Sequence, residues 1–368
     1  MNKKLQINCA KGVAIIIIVL SHLMLANTYT PVSFAPLLGF CVPMFFYCTG
    51  YEYVVYRGTL GKELRVRVLR LLMYALGVFL LFVAIQTIIL YFYDGFDFVS
   101  CLKSLFLLVT DESALTFFPE GSRVSYDYKN ILCPYWFIFL FVLTLLIFIV
   151  VVKILRKNKY AGIAATLILL IVSALIYCFA GVFPAASHLA PSFTFVMLAA
   201  YLIKEFKIEQ MLEKLNFPTQ LIINLAIFII GEIIASQIGL EKIARGRFAE
   251  NDASFLCWLM GMMAILLCSF SFVNLSIIFT KIKGVSQVLS WGGVNALDIL
   301  LVHMFFATEF SKFTGIPNGR WFFDSSQITP QLQIQFFLVL VVSISLTAGY
   351  IYLKKYFFRK RALNRLSK

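Results

Sequence analysis

Apolar residues in this chain fall into long, nearly uninterrupted runs, without the stripe of a soluble amphipathic helix or the alternation of a half-exposed strand. Runs of spanning length lie near 10–28, 34–56, 69–93, 132–152, 160–182, 189–203, 217–238, 254–273, 291–311 and 332–353, the sixth being short. Each has the length that carries a helix across a hydrocarbon core of about 30 Å. The pattern therefore predicts an all-α polytopic membrane protein of about ten transmembrane helices. The first run lacks a small-residue cleavage site and is followed at once by a second, so it reads as a permanent helix.

Charge fixes an expected orientation. With the N-terminus cytoplasmic, about three-quarters of the 32 Lys and Arg residues fall on inside segments, as the positive-inside bias requires. An even number of crossings returns the C-terminus to the same side, and a basic cytoplasmic tail is expected at 354–368. The net charge of +14 comes from these helix ends and forms no nucleic-acid-binding face. Hydrophobic residues make up 61% of the chain and charged residues 14%, which excludes a soluble globular domain. The eight cysteines sit in or beside apolar runs without metal-ligand spacing, so they read as packing residues and no metal is expected. The 94–131 segment is the longest expected outside loop, and residues 1–353 form one domain.

Ionisable side chains inside a bilayer are costly, so each needs a reason. Lys11 and His22 lie eleven positions apart in the first run, three helical turns plus about 20°, which places them on one face about 16 Å apart along the axis. Alone, His22 also fits a histidine hydrogen-bonded between helices. Arg65, Arg67 and Arg70 cluster before the third run; Arg67 and Arg70, at i and i+3, face the same way in an α-helix and suit phosphate groups, though a positive-inside anchor has the same composition. Glu232 lies mid-run and reads either as a group orienting His22 or as a protonated structural residue. Asp298 and His303 are five apart, about 140° around a helix, so they do not share one partner. Glu52 reads as the partner of a nearby Arg, Trp136 as a residue of the outer mouth or an interface anchor. His188 carries no functional reading.

Taken together, these residues resemble the acyltransferase 3 family of integral membrane enzymes that acylate sugars of surface polysaccharides. The resemblance rests on Lys11 to His22, with Lys where the family more often has Arg; on Phe45-Phe46-Tyr47-Cys48-Thr49-Gly50-Tyr51; on Arg67 and Arg70; on Pro134-Tyr135-Trp136-Phe137; and on Asn295 to His303, where Asp298 and Leu300 depart from the pattern. It spans 7 to about 352. It implies a bacterial inner-membrane O-acyltransferase, with acetyl the expected group, that moves an acyl group from cytoplasmic acyl-CoA to a sugar hydroxyl of an envelope polysaccharide or lipid-linked glycan. In that reading Lys11, Arg65, Arg67 and Arg70 hold the acyl-CoA, His22 is the base or acyl carrier, Glu232 assists it, and Trp136, Asp298, His303 and Glu52 line the acceptor path or are structural. Acyl-CoA is a co-substrate, with no permanently bound cofactor. A transporter or flippase of a sugar-linked or anionic substrate is the alternative. It predicts related halves or matched broken helices, and the sequence shows neither. A sensory membrane domain is a third, weaker possibility.

Overall fold

The computed structural model describes residues 2–23, 35–55, 58–93, 135–156, 158–179, 189–238, 255–314 and 330–366; all regular structure among them is helical. The helices are α1 (Lys3–Leu23), α2 (Ala35–Glu52), α3 (Leu60–Leu64), α4 (Arg70–Tyr93), α5 (Tyr135–Leu155), α6 (Lys159–Phe179), α7 (Ala190–Glu205), α8 (Ile208–Glu213), α9 (Phe217–Ile238), α10 (Phe255–Leu275), α11 (Ile277–Thr280), α12 (Lys283–Val294), α13 (Ala296–Thr314) and α14 (Pro330–Leu366). Backbone groups in lipid must be satisfied within their own segment, which is why apolar runs of this length become helices. A helix occupies every apolar run predicted above. Among the described residues, Leu60–Ile85, Phe137–Ile154, Phe217–Ser236 and Trp258–Thr280 are long and apolar enough to cross a membrane, and the bent pair α12–α13 would make a fifth. Outward rows such as Leu167, Ile168 and Ile171 on α6 or Ile222, Leu225 and Ile229 on α9 are exposed, as lipid-facing surfaces must be.

α1 lies at the centre, packed on α2, α10, α11, α12, α13 and α14. One neighbour, α12, approaches it unusually closely at two places because glycine removes the side chain between backbones. A Cβ at Gly12 would sit 2.0 Å from the Leu289 carbonyl oxygen of α12, and one at Gly293 would sit 1.9 Å from that of Asn8. Gly50 does the same between α2 and α7, with the Met197 oxygen 2.1 Å from where its Cβ would be. Around α1, a core of aromatic and aliphatic side chains includes Phe46 stacked on Phe193 with ring centroids 4.3 Å apart.

Three boundaries differ from the sequence reading. The third helix starts nine residues earlier than the apolar run: Thr59 caps α3, and a π-helical turn, Arg65–Leu69, joins it to α4. The charged Lys62–Arg70 stretch hides this start, because helix there is held by polar contacts rather than lipid. The ninth run breaks at Asn295, where α12 and α13 meet at 69°; Asn295 turns its amide onto the Trp291 carbonyl at 2.6 Å and ends α12. The last helix outruns its apolar run, which ends at 353: α14 continues without interruption to Leu366. The 94–131 segment and His188 lie outside the described residues.

Candidate active site

Helices start or end at one face of the bundle with an unusual density of charge. There Lys11 on α1 forms an ion pair with Glu52 at the end of α2, both side chains largely covered. Glu52 thus has a lysine partner where an arginine was expected. One helix end further, Lys3 reaches the buried Glu209 of α8 at 2.8 Å, and the Tyr51 hydroxyl donates to the same carboxylate. Lys3 also donates to the Asn274 side-chain oxygen at 3.0 Å, and Gln6 donates to the Val273 carbonyl at 2.6 Å. Glu209 can face inward because Lys207, with φ of 55°, turns the chain sharply between α7 and α8.

Glu63 organises the neighbouring segment. Its carboxylate is fully buried and accepts the Tyr53 hydroxyl at 2.7 Å, with Arg67 Nε and Lys153 Nζ each at 3.4 Å. Arg67 also donates to the Val54 carbonyl at 2.7 Å and lies 4.6 Å from the Tyr53 ring centroid. Lys153 donates to Gly58 O at 2.6 Å and Lys204 to Tyr53 O at 3.0 Å. The described part of the connection between α2 and α3 is therefore tied down on three sides. Arg65 and Arg70 stay exposed. The π turn adds a residue between them, shown by the Arg70 N–H reaching Arg65 O, so Arg67 and Arg70 are not the stacked i,i+3 neighbours that an α-helix would give. Arg67 is anchored, and Arg65 and Arg70 offer their guanidinium groups to solvent.

On the helix that carries His22, positions 11, 15, 18 and 22 form one row. Lys11 heads it, and Ile15 and Ile18 are buried. His22 and Trp136 occupy described helix positions in α1 and α5, but their side chains lie outside the described residues. Elsewhere Glu232 of α9 meets the Cys268 thiol of α10 at 3.6 Å. Asp298 of α13 pairs with Lys354 of α14 at 2.7 Å and accepts the Tyr74 hydroxyl of α4; Lys354 lies 4.1 Å from the Tyr74 ring centroid. His303 is buried, and its Nδ1 donates to the carbonyls of Ile299 at 2.8 Å and Leu300 at 3.0 Å in its own helix. Asp298 and His303 are thus held by different partners.

A family model described as an acyltransferase domain, that of acyltransferase 3, matches residues 4–352, nearly the whole chain. The chain belongs to the acyltransferase 3 family. It is a multi-pass membrane protein and an acyl-transferring enzyme. No curated protein and no solved structure matches it.

In this acyltransferase the sequence reading missed Glu63, Lys153, Glu209 and Lys354. Glu63 had a signal: a lone acid inside the basic stretch Lys62–Arg70, four residues before Arg67. Lys354 had none, since it stands at the head of a basic run that reads as a tail. Among the described residues, no group of His, Cys, Asp and Glu could hold a metal ion.

Proposed function

We propose that this membrane acyltransferase moves an acyl group, acetyl in the simplest case, from cytoplasmic acyl-CoA to a sugar hydroxyl of a bacterial envelope polysaccharide or lipid-linked glycan. In this reading the chain crosses the inner membrane ten times with both termini cytoplasmic. The observation that carries the proposal is the gathering of Arg65, Arg67 and Arg70 at the same end of the bundle as Lys11, which begins the α1 row that continues to position 22. Exposed guanidinium groups suit the phosphates of a nucleotide-linked donor. Lys11, on the α1 row, stands between that end and the deeper part of the helix, and an incoming phosphate competes with Glu52 for it. A thioester on an extended arm then reaches His22 about 16 Å further along the helix, where an imidazole can take a proton or the acyl group. Glu232, Trp136 and Asp298 belong to the acceptor side or its support, and Glu52 to the poise of Lys11.

Deleting the gene and comparing envelope glycans by mass spectrometry tests this. The deletion strain is expected to lose an acyl group, which returns with the wild-type chain and not with His22→Ala. Unchanged glycans, or full restoration by His22→Ala, would contradict the proposal.

A further inference from the structure

Two side-chain amides beside the first turns of α1 are locked so that each keeps one atom free. The Gln6 amide nitrogen donates to the Val273 carbonyl at 2.6 Å and to the Asn274 carbonyl at 3.0 Å. Carbonyl oxygens only accept, so this amide cannot be turned over, and Gln6 Oε1 is the atom left. Asn274 is fixed the other way round. Its Oδ1 accepts at 3.0 Å from the Lys3 ammonium, a group that only donates, which leaves Nδ2. Gln6 Oε1, Asn274 Nδ2 and Glu209 Oε1 are buried and have no hydrogen-bond partner among the described residues. The three belong to one patch, because Gln6 bonds the backbone of Asn274, and Lys3 bridges Asn274 Oδ1 to Glu209 Oε2 at 2.8 Å. A buried polar atom without a partner is costly, and three in one place mark a surface shaped for something that meets them. Two acceptors beside one donor are the complement of an adenine edge, which offers an amine with two hydrogens next to a ring nitrogen that accepts. Tyr51 adds an aromatic wall: its hydroxyl donates to Glu209 and its ring centroid lies 5.4 Å from the Lys3 ammonium. Lys3 is a partly exposed member of the patch, and a base enters by displacing it from Asn274 or Glu209. Tyr53, two residues beyond Tyr51, meets Glu63 and Arg67, so the patch adjoins the arginine segment.

We propose that Gln6, Asn274 and Glu209 read the adenine of the acyl-CoA donor. Its amine donates to Gln6 Oε1 and Glu209 Oε1, and a ring nitrogen beside that amine accepts from Asn274 Nδ2. This rests on the acyl-CoA reading above and deepens it: the donor is selected by its base as well as by its phosphates. A base with a keto oxygen in place of the amine is rejected, because it turns an acceptor towards two acceptors.

The test compares two donors on the purified full-length protein in liposomes: acetyl-CoA, and its deaminated analogue in which hypoxanthine replaces adenine and the phosphates and thioester are unchanged. Release of the free thiol gives kcat/KM for each. The wild type is expected to prefer acetyl-CoA by at least about 10-fold. Gln6→Lys keeps a donor for the Val273 and Asn274 carbonyls but has no acceptor, and it is expected to lose or invert that preference. Asn274→Asp keeps the acceptor for Lys3 but has no donor, and it is expected to raise the KM for acetyl-CoA about 10-fold, the effect falling on KM rather than kcat. A substitution that only loosens the fold lowers the rates with both donors alike and leaves their ratio where it was. Equal use of the two donors by the wild type overturns the proposal, as does a Gln6→Lys variant that keeps the preference or an Asn274→Asp variant with an unchanged KM; should one variant fail to fold, the wild-type ratio and the other variant decide. In each of these cases the acyl-CoA reading stands. A wild type that releases no thiol from either donor contradicts the acyl-CoA reading itself, and the adenine site falls with it.

Discussion

Glu63 shows how a single carboxylate can set the shape of the charged end of the bundle. Fully buried, it holds Tyr53, Arg67 and Lys153 from three separate stretches of chain, so its removal leaves two cations without their counter-ion. Breaking one side of a buried pair costs about 3–5 kcal/mol, and the partial exposure of Arg67 and Lys153 reduces that. Glu63→Gln is therefore expected to destabilise the protein by about 2 kcal/mol in thermal unfolding and, with acyl-CoA as the proposed donor, to raise its KM several-fold, because the Arg67 segment loses its anchor. An unchanged melting temperature and KM would show that the anchor is dispensable. The charges of this site were legible in the sequence, but their pairings were not. Lys11 meets Glu52 across 41 positions and Lys354 meets Asp298 across 56, and no local pattern encodes such contacts.

At the scale of helices, the glycines of the family-like motifs turn out to work by packing. Gly12, next to Lys11, lets α12 lie on α1, and Gly50, next to Tyr51 and Glu52, lets α7 lie on α2. These approaches fix the helices that carry the charged residues. A methyl group placed about 2 Å from a backbone oxygen must push two helices apart, at a cost of about 1–3 kcal/mol. Gly12→Ala and Gly50→Ala are each expected to lower the midpoint of thermal unfolding, with activity falling in parallel, whereas Gly349→Ala, with open space around it, should not. Equal stability of all three would refute the close-packing account. Apolar length made the helices legible; it did not show where they begin or bend. The start at Leu60 rests on Thr59 and Glu63, and the break at Asn295 on one side-chain amide, and both are polar events that hydropathy does not register.

At the scale of the molecule, a central helix joins the charged end of the bundle to its deeper part. α1 starts among Lys3, Gln6 and Lys11 at the charged end and runs through a buried row towards position 22. The neighbours that enclose it come from both halves of the sequence, α2 from the first and α10 to α14 from the second, so no smaller fragment would complete the site. The all-helical membrane architecture and the family were legible from composition, apolar runs and the order of motifs. The place of His22 was legible only as register on a helix. The most direct measurement is CoA release from acetyl-CoA by protein reconstituted in liposomes, wild type against His22→Ala, with equal amounts of folded protein. The account predicts a fall of at least about 100-fold in the variant; a rate equal to that of the wild type would contradict it.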